Sequence, residues 1–341
     1  MSFKEEKRRQ IKHYMLEKIA TGDPDVVNKT VSAFQISKNT GYRYLRELQE
    51  EGVIAKEKSG WHLVQETKSF RFRRLEALQV GEDRIYEKYF ASYVEKFTEN
   101  VQHIWEYAFM EMMNNALDHS QAEYISLDLW QDVLHTSVRI VDDGVGIFRK
   151  IQDYYHFATL EDAIGELFKG KLTTDAQNHS GEGIFFTSHM MDRFLILSDR
   201  KIFTQDLFEE CIQDVEKTLG WTESRSSGTC VYMELSNFTD KTAKEIFDRF
   251  VDVEMGFTKT SIPLKNFFDG SLVSRSQAKR LCRRFENFAE VELDFSGVSA
   301  MGQGFAHEVF VVYQKKHPET SLLPIHMSEN VQKMYRHVIH G

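Results

Sequence analysis

Short glycine- and carboxylate-bearing motifs follow one another through the middle of the chain, and they constrain its fold more than any other feature. They are Glu111-Met-Met-Asn-Asn115, Asp142-Asp-Gly-Val-Gly146, Gly181-Glu-Gly183 and Gly228-Thr229. Taken singly, such motifs are typical of ordinary turns and solvated helix ends. The segments between the motifs are more informative. Apolar and polar residues alternate at 124–130 and 137–141, which predicts two strands, and the second strand runs into Asp142. We therefore predict one α/β domain in which the motifs meet.

In this order and setting, the motifs resemble the nucleotide pocket of the GHKL (Bergerat-fold) ATPases. That superfamily includes gyrase-type ATPases, sensor histidine kinases and anti-sigma-factor serine kinases. The resemblance covers residues 101–255 and implies an α/β sandwich, in which helices cover one face of a mixed sheet. It also implies ATP and Mg²⁺ as ligands. The polar stretch 170–180 would then be a lid that closes over the nucleotide.

The resemblance gives the side chains of the pocket distinct roles. Glu111 and Asn115 are one helical turn apart and point the same way. Asn115 would hold Mg²⁺, and Glu111 would be the catalytic base for a water near the phosphates. Asp142 would accept a hydrogen bond from the adenine amino group, and the Thr229 hydroxyl would support that contact.

The glycines and one lysine complete the expected ATP site. Gly144 and Gly146 have no Cβ, so the backbone can approach the base closely. Gly181 and Gly183 open an apolar helical stretch whose free N–H groups can bind phosphate. Lys171, or alternatively Lys169, would add positive charge near the phosphates.

The first 66 residues have a different pattern, which predicts three helices followed by a β-hairpin. Ser37 is a predicted N-cap for the third helix, which spans residues 38–51, and a turn at Ser59-Gly60 joins the two strands. The segment Thr40-Gly-Tyr-Arg-Tyr-Leu-Arg-Glu-Leu-Gln-Glu-Glu-Gly-Val-Ile54 resembles the recognition helix and first wing strand of winged helix-turn-helix regulators.

The winged-helix resemblance implies DNA binding through the start of the third helix and through the wing. The expected DNA-contacting residues are Lys38, Asn39, Thr40, Tyr42, Arg43, Lys56 and Lys58, with His62 also on the wing. Residues 1–75 carry sixteen Lys or Arg residues against ten Asp or Glu residues, although the whole chain has a net charge of −9. This basic end favours a polyanionic partner. The alternative is a protein-binding head.

Residues 67–100 are predicted to be a helical connector between the two domains. One amphipathic helix is expected over Glu82–Phe97, with aromatic residues repeating along one face. Such a stripe is typical of a core or of a dimer interface. We expect the protein to be a homodimer.

Residues 256–341 are predicted to form a small α/β domain, with a basic helix at 274–285 and a strand at 289–295. The segment Leu293-Asp-Phe-Ser-Gly-Val-Ser-Ala-Met-Gly-Gln-Gly-Phe305 resembles STAS-like domains fused to GHKL ATPases and, more distantly, anti-sigma-factor antagonists. The antagonists carry a phosphorylatable Ser at the tip after the strand. Here the tip is 301–304, and Ser296 and Ser299 lie upstream. The resemblance implies a protein partner and leaves the phosphoacceptor open.

Hydrophobic runs and cysteine spacing indicate the cellular compartment in which the protein works. No run of about 18 apolar residues is present, and the first residues lack the apolar core of a signal peptide. Cys211, Cys230 and Cys282 are widely spaced, without a CxxC pair. We expect a protein of a reduced, bacterial-type cytoplasm that does not enter a membrane.

The expected fold is therefore an α+β multidomain chain: winged helix, Bergerat sandwich and STAS-like domain. The expected function is an ATP-binding and ATP-hydrolysing transcriptional regulator that couples nucleotide state to DNA binding. One alternative is a serine kinase of the anti-sigma type, and another is a nucleotide sensor that does not hydrolyse ATP. A sensor histidine kinase is disfavoured because no dimerisation hairpin with a phospho-accepting His precedes Glu111.

Overall fold

The structure is a computed structural model that describes residues 3–172, 181–205, 227–252, 254–267 and 272–340. The chain is a mixed α+β protein that divides into two compact units. Unit 1 comprises Met1–Phe70, Asp128–Val138 and Glu234–Thr239. Unit 2 comprises Arg71–Leu127, Arg139–Met233 and Asp240–Gly341. In the part of the chain that the structure describes, no helix is long and apolar enough to cross a bilayer.

The third helix and the hairpin turn of unit 1 lie where the sequence predicts them. They are α1 (Phe3–Ala20), α2 (Val26–Phe34), α3 (Lys38–Glu50), β1 (Ile54–Glu57) and β2 (Gly60–Leu63). The N-cap of α3 is Ser37, whose Oγ accepts a hydrogen bond from the Thr40 N–H at 3.1 Å. The hairpin strands pair antiparallel, with Ile54 opposite Leu63.

The core of unit 1 includes a residue from a distant part of the chain. Its buried residues are Ile11, Met15, Leu16, Ile19, Val26, Tyr44, Leu45, Leu48, Ile54 and Leu134. Leu134 belongs to the turn between two later strands, and its side chain is only 3% exposed. The His13 ring also meets the edge of the Phe238 ring, with centroids 4.9 Å apart. The first two chain segments of unit 1 therefore share one core, and the third contributes Phe238, an exposed side chain that contacts His13.

A six-stranded sheet has the strand order β3-β4-β5-β8-β6-β7. Its strands are β3 (Glu66–Arg73), β4 (Tyr124–Gln131), β5 (His135–Asp142), β6 (Arg193–Ser198), β7 (Lys201–Thr204) and β8 (Thr229–Ser236). Strands β6 and β7 pair antiparallel, with Ser198 opposite Lys201. β4 and β5 match the predicted strands at 124–130 and 137–141, and β5 ends at Asp142, as predicted.

Unit 2 contains α4 (Arg74–Val80), α5 (Glu82–Tyr89), α6 (Ala91–Val94), α7 (Glu99–Asn114), α8 (Ile147–Tyr155), α9 (Leu160–Lys169), α10 (Gly183–Met190) and α11 (Ala243–Phe250). A π-helical turn, Asn115–His119, continues α7. The single helix predicted over Glu82–Phe97 is wrong, because the chain breaks at Phe90 between α5 and α6. The fully buried Phe90 ring stacks on Phe109, with centroids 5.1 Å apart. Part of the predicted aromatic stripe is therefore core.

The C-terminal part of unit 2 is built on a parallel sheet with the order β11-β12-β13. Its strands are β11 (Lys259–Pro263), β12 (Glu290–Asp294) and β13 (Ser321–Ile325), preceded by the short pair β9 (Val251–Asp252) and β10 (Gly256–Phe257). Its helices are α12 (Leu264–Phe267), α13 (Arg275–Leu281), α14 (Gln303–His307), α15 (Gln314–Lys316) and α16 (Glu329–His340). A π-helical turn, Glu308–Tyr313, joins α14 to α15, so the segment after Gly302 is helical.

Candidate functional site

Residues from all four motifs line a cavity of about 310 Å³ in unit 2. The predicted site residues among its walls are Glu111, Asn115, Asp142, Gly146, Gly181, Gly183 and Thr229. They come from α7 and its π-helical turn, from the ends of β5 and β8, and from the start of α10. Residues up to 118 positions apart in the chain therefore meet at one cavity.

One end of the cavity brings a carboxylate to the start of a helix. Glu111 lies in the last turn of α7, and Asn115 begins the π-helical turn that follows. Gly183 is the first residue of α10, and a Cβ on this glycine would overlap the Glu111 carboxylate. A side chain at position 183 would therefore displace the Glu111 carboxylate from the start of α10. An acid, an amide and a helix N-terminus converge here, which suits phosphate and Mg²⁺ chemistry.

The other end of the cavity is organised around a buried carboxyl group. Oδ1 of Asp142 accepts hydrogen bonds from the Gly144 N–H at 2.9 Å and from the Thr229 N–H at 3.2 Å. The Thr229 Oγ1 in turn accepts one from the Ile147 N–H at 3.0 Å. Burial raises the pKa of Asp142 to about 6, although these two N–H donors act in the opposite direction. The carboxyl group is thus fixed in place and poorly solvated.

Two predicted ATP-binding residues do not line the cavity. Gly144 lies behind it, where a Cβ would overlap the Ser120 carbonyl oxygen. The Lys171 ammonium donates to the Asn287 carbonyl at 3.0 Å and lies over the rings of Phe257 and Phe288. These contacts hold its charge against the C-terminal part of unit 2.

Lys169, the alternative to Lys171, also contacts other residues. Lys150, which lines the cavity, was not identified from the sequence. Lys169 is fully buried, with its Nζ 2.6 Å from Glu166 Oε1. Lys150 does line the cavity, and its Nζ donates to the His119 carbonyl at 2.9 Å. The sequence could have indicated this residue, because Lys150 is in the helix that follows Gly146 and lies about one turn after the Asp142–Gly146 motif.

Most of the predicted lid, residues 173–180, lies outside the described residues. The residues that flank it are described. The Leu172 N–H donates to the Gly181 carbonyl at 3.1 Å, and both residues line the cavity. The two ends of this stretch are thus joined at the cavity wall.

The predicted DNA-contacting residues belong to α3 and the β1–β2 hairpin of unit 1. Lys38, Asn39, Tyr42, Arg43, Lys56 and Lys58 are exposed, and Thr40 is half-buried. The Arg43 guanidinium packs over the Tyr44 ring, and its Nε lies 3.9 Å from Glu47 Oε1. The Lys56 Nζ lies 5.5 Å from the centre of the Trp61 ring. Six of the seven side chains are thus open to an outside partner.

The tip at residues 301–304 runs from a single β-bridge into the start of α14. Met301 bridges to Leu272, and the Gly302 N–H donates to the Leu272 carbonyl at 2.7 Å. Upstream, the Ser296 N–H donates to Asp294 Oδ1 at 2.8 Å.

Comparison with known families identifies the C-terminal part. A family model described as a STAS-like domain of unknown function (DUF4325) matches residues 277–332. The match runs from α13 into α16 and confirms the STAS-like prediction made from residues 293–305. No curated protein matches the chain.

Proposed function

We propose that unit 2 carries a Bergerat-type ATP pocket, and that the protein is an ATP-hydrolysing regulator whose winged-helix head binds DNA. The observation that carries this proposal is the convergence of residues from four separated motifs on one cavity. A turn or a capped helix end would explain one motif, but it would not explain why all four meet.

The two ends of the cavity divide the recognition of the nucleotide between them. The Asp142 carboxylate would accept a hydrogen bond from the adenine amino group, with Thr229 holding the carboxylate in place. The phosphates would lie near Asn115 and the N-terminus of α10. Mg²⁺ would bind the Asn115 amide oxygen and phosphate oxygens, and would neutralise part of the phosphate charge. Lys150 supplies a further positive charge in the cavity wall.

Glu111 is the proposed catalytic base. A water molecule would attack the γ-phosphorus while the Glu111 carboxylate takes a proton from it. The new P–O bond forms as the bond to the β-phosphate oxygen breaks, and ADP and inorganic phosphate leave. The position of Glu111 beside the start of α10 supports this role, because the phosphate-binding N–H groups and the base are then adjacent.

The proposed DNA-binding head is supported by its helix order and by its exposed side chains. Three helices and an antiparallel hairpin match the order of elements in a winged helix. The exposed Arg43 and Asn39 near the start of α3 suit base edges, and Lys38 suits phosphates. Strand β5 begins directly after Leu134, a core residue of unit 1, and ends at Asp142 in the cavity.

The test is incubation with γ-labelled ATP and Mg²⁺, following both free phosphate and label on protein. Glu111→Ala should still bind ATP but should release no phosphate. Glu106→Ala is the matched control, because Glu106 is exposed on the same helix and does not line the cavity. Label retained on protein would favour the serine-kinase alternative. Bound ATP without turnover by the wild type would favour a sensor, and absence of ATP binding would refute the pocket.

A further inference from the structure

One wall of the cavity is formed by the end of α9 and the residues that follow it. Leu167, Gly170 and Leu172 all line the cavity. The Leu172 N–H is hydrogen-bonded to the Gly181 carbonyl, two residues before α10 begins. Any shift of residues 170–172 would therefore change the cavity next to the start of α10.

This wall is held from the STAS-like domain. The guanidinium of Arg284 donates to the Lys171 carbonyl and, at 3.1 Å, to Glu166 Oε2. In return, the Lys171 ammonium donates to the Asn287 carbonyl. Arg284 and Asn287 both lie within the residues that match the STAS-like family.

The carboxylate that Arg284 contacts is itself buried. Glu166 is 2% exposed and lies against the fully buried Lys169, whose Nζ also donates to the Arg283 carbonyl at 2.7 Å. The Thr260 hydroxyl donates to the Lys169 carbonyl at 2.8 Å. Buried ionic groups are costly unless each one is paired and hydrogen-bonded, so this arrangement stays in place only with all of its partners.

The backbone of Arg284 is in an uncommon conformation. Its φ of +61° lies in the left-handed region, which is unfavourable for a residue with a Cβ. Such strain persists only where surrounding contacts compensate for it. The guanidinium makes contacts of this kind: two hydrogen bonds, to Glu166 and to the Lys171 carbonyl, and packing over the Tyr155 ring at 5.8 Å. A guanidinium has several N–H donors in a fixed planar arrangement, so one side chain can bridge a carboxylate and a carbonyl together.

We propose that Arg284 is a positioning residue of the nucleotide site, through which the STAS-like domain holds the wall 170–172 in its binding shape. This inference rests on the proposed ATP pocket. Arg284 touches no nucleotide in this scheme, because it acts through the Lys171 carbonyl. The STAS-like domain thereby becomes a structural part of the ATP site, and ATP affinity becomes sensitive to whatever engages that domain.

The test compares two arginine variants with a neighbouring control. Arg284→Met removes both hydrogen bonds, to Glu166 and to the Lys171 carbonyl. Arg284→Lys keeps a positive charge near Glu166 but loses the second N–H group that reaches the Lys171 carbonyl. Arg283→Met is the control, because the Arg283 side chain is 45% exposed and contacts Asp162 at 3.8 Å rather than the wall. The measurements are fluorescent-ATP affinity and dissociation rate, together with hydrogen exchange of the Leu172 amide without nucleotide.

Both Arg284 variants should bind ATP about tenfold more weakly, mainly through faster dissociation, as expected for one lost charge-assisted hydrogen bond. Arg283→Met should stay within about twofold of the wild type. Arg284→Lys should remain folded with wild-type circular dichroism, which separates positioning from stability. Wild-type ATP affinity and unchanged Leu172 exchange in a folded Arg284→Lys protein would overturn the inference.

The exchange measurement separates this inference from the proposed function. If the wild type binds no ATP, faster Leu172 exchange in the Arg284 variants would still show that Arg284 holds the wall. The ATP proposal would then fail while the structural role stands. Unchanged exchange in both variants would remove the role of Arg284 whatever the ligand.

Discussion

Replacing Asp142 by Asn should make the nucleotide-free protein more stable and the ATP complex much weaker. The Asp142 carboxyl group is 7% exposed, and burial raises its pKa from 3.8 to about 6. An ionised Asp142 is therefore less favourable in the folded protein than in the unfolded chain. The amide of Asn has no charge to desolvate, so it avoids this cost.

The magnitude follows from the difference between the two pKa values. A rise of about two pKa units corresponds to roughly 3 kcal/mol of unfolding free energy. Because the folded pKa is raised, the folded protein binds more protons than the unfolded chain between pH 3.8 and about 6. The stability contributed by Asp142 is thus fully present below pH 3.8 and is lost as the pH rises through 6. Asp142→Asn should match the wild type near pH 4 and exceed it by up to about 3 kcal/mol at pH 8.

ATP binding should change in the opposite direction. Oδ1 of Asp142 already accepts two backbone N–H bonds, so an Asn at this position would keep its oxygen there. Its NH₂ group would then face the adenine amino group, donor against donor. The affinity for ATP should fall at least about tenfold, the effect of losing a hydrogen bond to a charged acceptor.

The assay is urea unfolding of the wild type and of Asp142→Asn at pH 4, 6 and 8, followed by tryptophan fluorescence, with ATP titrations of both proteins at pH 8. Groups that titrate in both proteins cancel in the difference between them. Equal stability of the wild type and Asp142→Asn at pH 8 would refute the claim that the buried Asp142 carboxylate destabilises the fold. Equal ATP affinity would refute the assignment of Asp142 to the adenine.

Three further substitutions test separate parts of the scheme. Asn115→Ala should remove the Mg²⁺-dependent part of ATP affinity and leave binding in EDTA unchanged, measured by titration with and without the metal; a loss of equal size in EDTA would contradict a metal role. Arg43→Ala should weaken binding to DNA from upstream of its own gene by about 1–3 kcal/mol in fluorescence anisotropy, beyond the effect of the control Arg46→Ala; unchanged binding would favour a protein-binding head. Glu166→Gln removes the carboxylate partner of the buried Lys169 and should lower the unfolding free energy by about 3–5 kcal/mol, and the pair Glu166→Leu with Lys169→Met should recover part of it, since Arg284 still lacks its carboxylate partner. No recovery in the paired variant would argue against an ionic cause.

Local signals in the sequence were sufficient for many elements of the fold. Ser37 starts α3 because its hydroxyl can accept a backbone N–H whatever the tertiary structure. Likewise β5 ends at Asp142, where alternating apolar residues give way to a glycine turn. These features depend on residues within about one turn of each other, so they can be predicted from the sequence without knowledge of the tertiary structure.

Features that depend on contacts between residues far apart in the chain could not be predicted from local sequence patterns. The break at Phe90 interrupts a good helical pattern, because burial of its ring on Phe109 outweighs local propensity. The direction of Lys171 is decided by the Asn287 carbonyl, 116 residues away. A positive charge near a phosphate motif is thus a weak guide to which lysine enters the pocket.

Unit 1 cannot complete its core until later segments of the chain have been synthesised. Residues 1–70 leave the ribosome first, but their core also contains Leu134, and His13 packs on Phe238. At about 5–20 residues per second, roughly 10–30 s separate the emergence of the first segment from that of the last. During that interval the apolar faces of α1 and α3 lack part of their cover. The newly made N-terminal segment therefore exposes part of its apolar surface until Leu134 and Phe238 have been synthesised.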